Sequence, residues 1–76
     1  MTKFPARQRA IAAALRAARE EAGLSQRALS LKLGESTTYV HMIEGLRRDV
    51  SVAEFIEIAK VLGVDPRELL GRTLRR

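Results

Sequence analysis

The chain has 76 residues, 46% of them hydrophobic and 30% charged, with two prolines and no cysteine. That length supports one domain with a modest core; the lack of cysteine removes disulfides, thiolate zinc sites and thiol nucleophiles together, and no run of about 18 apolar residues exists to span a membrane. Fourteen Lys and Arg against nine Asp and Glu leave a net charge of +5 and a pI near 10.8, which favours polyanionic partners, either nucleic acid or an anionic membrane surface.

The positive charge is unevenly placed. No acid precedes Glu20, whereas Lys3, Arg7, Arg9, Arg16 and Arg19 do. Targeting peptides are also acid-poor and arginine-rich, but this stretch has no serine and runs unbroken into "REEAGLSQ", a helix end. A solvated basic face on a structural helix fits it better. A membrane-surface helix fits poorly, because the polar side is not uniformly cationic beyond Glu20. A reducing cytoplasm is the simplest compartment for such a chain.

After Pro5, a favoured first-turn residue, apolar positions Ile11, Leu15, Ala18 and Ala22 recur at helical spacing and Gly23 ends the pattern. Ser25 caps a second helix with Ala28, Leu29 and Leu33 inward, ended by Gly34. Ser36 is placed to cap a third, over about 36–45, with Val40 and Ile43 inside. Ser51 and Glu54 form a capping box for the fourth, which is expected to bury Val52, Phe55, Ile56, Ala59 and Leu62 before Gly63. Asp65, Pro66 and Glu68 open a short fifth helix docked by Leu69 and Leu70. No stretch alternates with a period of two and no hairpin dipeptide occurs. The expectation is one all-α domain over 1–76, with a core about 8–71 and a frayed basic C-terminal tail at 72–76.

Gly34 permits the left-handed backbone that turns one short helix sharply onto the next. Ser30 is small enough for those two helices to approach closely. This is what a helix-turn-helix requires.

From "AGLSQ" through "YVHMIEG" to "IAKVLGVDPRELL", over roughly residues 11–70 without gaps, the chain resembles the phage repressor and Cro-type helix-turn-helix family, the xenobiotic-response-element-type regulators. The resemblance implies a compact five-helix repressor-like domain, with its helix-turn-helix in helices two and three. The "TYV…IE…RRDVS" portion also resembles restriction-modification controller regulators and prophage or plasmid regulators. Departures from the family pattern are Glu35 at a usually apolar turn position, Ser30 for the commoner Ala or Gly, and Val50 where Pro is frequent. Gly45 comes one residue early in the usual Glu-x-Gly and is followed by Leu46.

A major groove about 12 Å wide admits one α-helix, read mostly by side chains near its N-terminus. With Val40, Ile43 and Glu44 inward, Thr38, His41 and Met42 face outward and Thr37 lies in the first turn. These four are the candidate base readers. The hydroxyls and the Met42 side chain suit base edges and thymine methyls, and His41 can donate or accept. Candidate phosphate contacts are Gln26, Arg27, Ser36, Tyr39, Arg47 and Arg48. The two serines cap positive helix ends with free amides, Tyr39 is expected beside the core direction, and Arg47 and Arg48 are placed to clamp the groove wall. In the family the glutamine matching Gln26 contacts phosphate and braces the recognition helix. A carboxylate pressed against apolar neighbours needs a partner; Arg19, one turn before Gly23, is the natural one for Glu44, and the resemblance implies the same ion pair.

The leading function is a sequence-specific regulator that binds double-stranded DNA, as a homodimer on a palindromic operator, with Leu46, Val50 and the end around Leu69, Leu70 and Leu74 as dimer surfaces. The alternative is an antitoxin-like or adaptor protein whose main ligand is another protein, for which Leu31 and Leu46 offer apolar contacts. RNA ranks third, because Phe4, Tyr39 and Phe55 form no stacking platform. An enzyme is not expected: the single His41 lacks a Cys or a Ser–His–Asp grouping, and there is no Walker loop. No catalytic residue, metal site, cofactor or small-molecule effector pocket is expected.

Overall fold

A computed structural model of the chain describes residues 3–74. Helices α1 (Pro5–Glu21), α2 (Gln26–Lys32), α3 (Tyr39–Glu44), α4 (Val52–Leu62) and α5 (Pro66–Leu74) follow one another, with no strand among the described residues. Proline opens α1, where its missing N–H would have had no intrahelical partner. Small side chains dominate the buried face of α1 (Ala12, Ala14 and Ala18 around Leu15), and that smoothness lets α3, α4 and α5 all pack against it. Ala22, expected on the same stripe, is exposed at the helix's C-cap. One apolar cluster joins the helices, with Leu29, Ile43 and Leu69 wholly enclosed.

Helix α4 starts at the expected capping box. The Ser51 hydroxyl accepts from the Glu54 amide at 3.1 Å, and the Glu54 carboxylate accepts from the Ser51 amide at 2.9 Å. Its inner face is rotated from the expected one. Phe55, Ile58 and Ala59 are buried, while Val52 and Ile56 are 78% and 36% exposed. The segment carries two apolar rows, and only the row completed by Ile58 meets the rest of the core. In α5, Leu69 is enclosed and Leu70 is half-exposed. The expected frayed tail from residue 72 is helical through Leu74 instead. Thr73 is buried, its hydroxyl donating to the Leu70 carbonyl at 2.7 Å, and Arg7 of α1 donates to the Thr73 carbonyl at 3.4 Å. Arg75 and Arg76 lie outside the described residues.

The ends of α2 and α3 use the same geometry with different residues. At α2, the Gly34 amide bonds to the Leu31 carbonyl and the Glu35 amide to the Ser30 carbonyl, each at 3.0 Å, with Gly34 at φ +73°. At α3 the equivalent bonds run from Leu46 to Ile43 at 3.1 Å and from Arg47 to Met42 at 2.9 Å. The left-handed position of this Schellman turn falls on Leu46, at φ +61°, and not on Gly45. A branched residue is disfavoured there by about 1–2 kcal/mol. Replacing it with glycine relieves that strain but raises unfolded-state entropy by an amount worth about 0.4–1 kcal/mol. Leu46→Gly is therefore expected to stabilise the domain by roughly 0.5–1 kcal/mol, read as a raised urea midpoint. A lowered midpoint would mean that packing by the half-exposed Leu46 side chain outweighs its backbone strain.

Candidate nucleic-acid interface

Helix α2 begins with Ser25, whose hydroxyl accepts from the Ala28 amide at 3.0 Å. Helix α3 begins differently from expectation. It has six residues and not the ten or so of 36–45, its N-cap is Thr38, and no side chain of that residue caps it. Ser36 therefore does not cap α3. Its carbonyl accepts from the Tyr39 amide at 3.1 Å, within a turn that also holds Thr37 and Thr38. The cap comes from α2 instead. Ser30, 0% exposed, accepts from the Val40 amide at 3.0 Å and donates to the Gln26 carbonyl at 2.8 Å. The Val40 amide belongs to the first turn, where no intrahelical acceptor exists, so one buried hydroxyl both satisfies it and binds α3 to α2. The sequence shows that Ser30 is small; it does not show where its hydroxyl points.

The second fastening is ionic. Arg19 and Glu44 meet as a two-pronged pair, Nε to Oε2 at 2.7 Å and Nη2 to Oε1 at 3.0 Å, with side chains only 10% and 5% exposed. The third guanidinium nitrogen, Nη1, donates to the Leu24 carbonyl at 2.8 Å. The bonds to Glu44 hold the Arg19 pKa above its ordinary value. Gln26 joins the pair from α2, its Nε2 donating to Glu44 Oε1 at 2.9 Å, while its Oε1 lies 3.2 Å from His41 Nδ1.

With its back held this way, α3 turns Val40 and Ile43 into the core. Thr37, Thr38 and His41 are exposed and Met42 is 37% exposed. The four candidate base readers thus share the turn and outer surface of one rigid unit. The candidate phosphate contacts are more scattered. Arg27 and Arg47 are exposed, as is Ser36, and Gln26 is half-buried at the start of α2. Tyr39 departs from its expected place beside the core. It is 7% exposed and belongs to the apolar cluster, and burial pushes its phenol above the ordinary value. Arg48 lies over the Tyr39 ring, 4.9 Å from its centroid, and pairs with Glu54. The Ser51 backbone amide, first among several contacts, holds the Glu54 carboxyl below its usual range. Among the described residues, no group of three or more His, Cys, Asp or Glu could hold a metal ion, and no helix is long and apolar enough to cross a membrane.

Two short helices joined at a left-handed glycine, the second with its outer face free, define a helix-turn-helix domain. The helix-turn-helix family profile matches residues 15–69. A solved XRE-family like protein from Pseudomonas syringae pv. tomato str. DC3000 is similar throughout, with a TM-score of 0.85 and 32% identity over 93% of this chain and 87% of that one. No curated protein sequence matches the chain. The chain belongs to the XRE-type helix-turn-helix family and is a DNA-binding regulator by class.

Removing one partner of a buried ion pair typically costs about 3–5 kcal/mol, against about 0–1 for a surface pair. Glu44→Gln leaves the Arg19 charge enclosed and is expected to lie in the larger range by chemical denaturation. A loss below about 1 kcal/mol would show that water reaches the pair.

Proposed function

We propose that this domain reads double-stranded DNA in the major groove with α3 and the turn before it, as a homodimer on a palindromic operator in the cytoplasm. The observation that carries the reading is the exposed set Thr37, Thr38, His41 and Met42 on a unit whose buried side is fixed by Ser30 and by the Arg19–Glu44 pair. Hydroxyls, an imidazole and a thioether offer donors, acceptors and methyl contact, the vocabulary of base-edge recognition. Phosphate contacts fall to Arg27, Arg47 and Arg48, to Ser36 in the turn, and to the backbone amide of Gln26 at the first turn of α2, since the Gln26 side chain is engaged elsewhere. Tyr39 acts behind Arg48: its ring supports the guanidinium.

One recognition helix of six residues covers few base pairs, and a second copy related by a two-fold axis doubles the site, with half-sites about 34–36 Å apart. Leu69, expected in the dimer surface, is 0% exposed and takes no part. An apolar groove of about 250 Å³ between α1, α4 and α5, lined by Ile11, Val50, Phe55 and Pro66 and rimmed by Val52, Ile56 and Leu70, is the surface assigned to the second copy. Val52→Glu is well tolerated by the fold on this geometry, since the residue is 78% exposed in the first turn of α4, where an acid is favourable. It is expected to shift sedimentation from dimer to monomer and to weaken operator binding at least tenfold, about 1.4 kcal/mol. A wild-type protein that stays monomeric at high concentration would remove the dimer.

Titration of a selected duplex against a scrambled one, across a salt series, tests the reading itself. Preference for one duplex is expected, with a log–log salt slope of about −0.9 per phosphate contacted. Thr38→Ala should relax preference at one base position by about 1–3 kcal/mol, whereas Arg48→Ala should weaken all duplexes alike and flatten the slope. Equal, weak binding to both duplexes would favour the adaptor alternative.

A further inference from the structure

Glu44, Gln26 and His41 form a chain of hydrogen bonds whose direction is set from the core outward. Both Glu44 oxygens accept from the Arg19 guanidinium, at 2.7 and 3.0 Å. A guanidinium only donates, and the ionised carboxylate it holds only accepts. The Gln26 atom 2.9 Å from Glu44 Oε1 must therefore be the amide nitrogen. The orientation of this carboxamide follows from the chemistry of its neighbour. Turning the nitrogen inward turns the oxygen outward, 3.2 Å from His41 Nδ1. An amide oxygen cannot donate, so Nδ1 has to carry the hydrogen. In a neutral imidazole only one nitrogen is protonated, which leaves Nε2, at the distal end of the exposed His41 ring, as an acceptor.

We propose that Arg19, Glu44 and Gln26 together fix the His41 tautomer, so that His41 reads an exocyclic amino group in the major groove. The class of base is cytosine through N4 or adenine through N6, and guanine and thymine, which present acceptors at O6, N7 and O4, are disfavoured opposite it. Gln26 is the positioning residue: it touches the reader rather than the base. The inference rests on the duplex-reading function above and adds to it which bases one reader accepts.

The chain's single histidine makes the test direct, because every imidazole signal belongs to His41. Long-range proton–nitrogen correlation on the ¹⁵N-labelled free protein, at about pH 8 where an ordinary imidazole is neutral, should show Nδ1 protonated and Nε2 bare. Gln26→Ala removes the constraint and should shift the ring toward the Nε2–H form, with the amide spectrum confirming the fold. Selection from random duplexes at the same pH then tests the base class, since an imidazolium would donate from both nitrogens. The position that loses its preference in His41→Ala should be cytosine or adenine in the wild type, and Gln26→Ala should reduce that preference roughly fivefold to tenfold at that position alone. An Nε2–H ring in the wild type, or guanine or thymine selected at that position by a protein that does discriminate between duplexes, would overturn the relay while leaving duplex reading intact. A bare Nε2 in a protein with no preference among duplexes would instead remove the DNA reading, and the base assignment with it.

Discussion

One guanidinium holds the working half of this domain together. Arg19 leaves α1 and reaches the Leu24 carbonyl in the loop and the Glu44 carboxylate on α3; through Glu44 it also engages Gln26 on α2. Four segments are thereby tied to one planar group with all three of its nitrogens in use. Burying a lone charge is prohibitive, whereas a bidentate pair with its remaining donors satisfied is tolerable. A shift of α3 relative to α1 would have to break that whole set together. For a six-residue helix, too short to be stable in isolation, such external restraint is what makes its outward side chains a fixed constellation.

Ser30 completes the restraint from the opposite side. It accepts from the amide of Val40, the second residue of α3, and its own donor goes to the Gln26 carbonyl, so neither its oxygen nor its hydrogen is wasted in a site that water does not enter. An alanine here would fit the space but leave the Val40 amide buried without a partner, a defect worth about 1–3 kcal/mol. The hydroxyl and the ion pair act at opposite ends of α3, one at its start and one at Glu44. A short rod held at both ends can neither slide along its axis nor roll about it.

What was legible in the sequence was whatever is decided by neighbours in the chain or by a strong rule about charge. The Ser25 cap and the Ser51–Glu54 box are local in this sense, and a carboxylate among apolar residues demands a cation wherever the fold places one. What was illegible depends on choices made through space. Ser36 and Ser30 are equally plausible as serines, but only the packing of α2 on α3 brings Ser30 to the Val40 amide. Val52 and Ile56 lie on an apolar row as regular as that of Phe55, Ile58 and Ala59, and contact with the other helices decides between them. Tyr39 has both a phenol and a large apolar ring, and here burial of the ring prevails. At the base-reading surface, the sequence supplied the residue types and their side of the helix; the state of each donor and acceptor came only with the hydrogen-bond partners.

The pairing of Arg48 with Glu54 alters how the chain's positive charge is to be weighed. A phosphate that took Arg48 would still shed its own condensed cations, but the guanidinium would be exchanging one anion for another, so the contact gains less than one made by an unpaired cation. It would also uncover Glu54, which the Ser51 amide keeps ionised, beside an approaching polyanion. Arg48 on these terms discriminates between docking poses more than it strengthens them: poses that leave the acid clear of the sugar–phosphate chain are admitted, and those that crowd it are turned away.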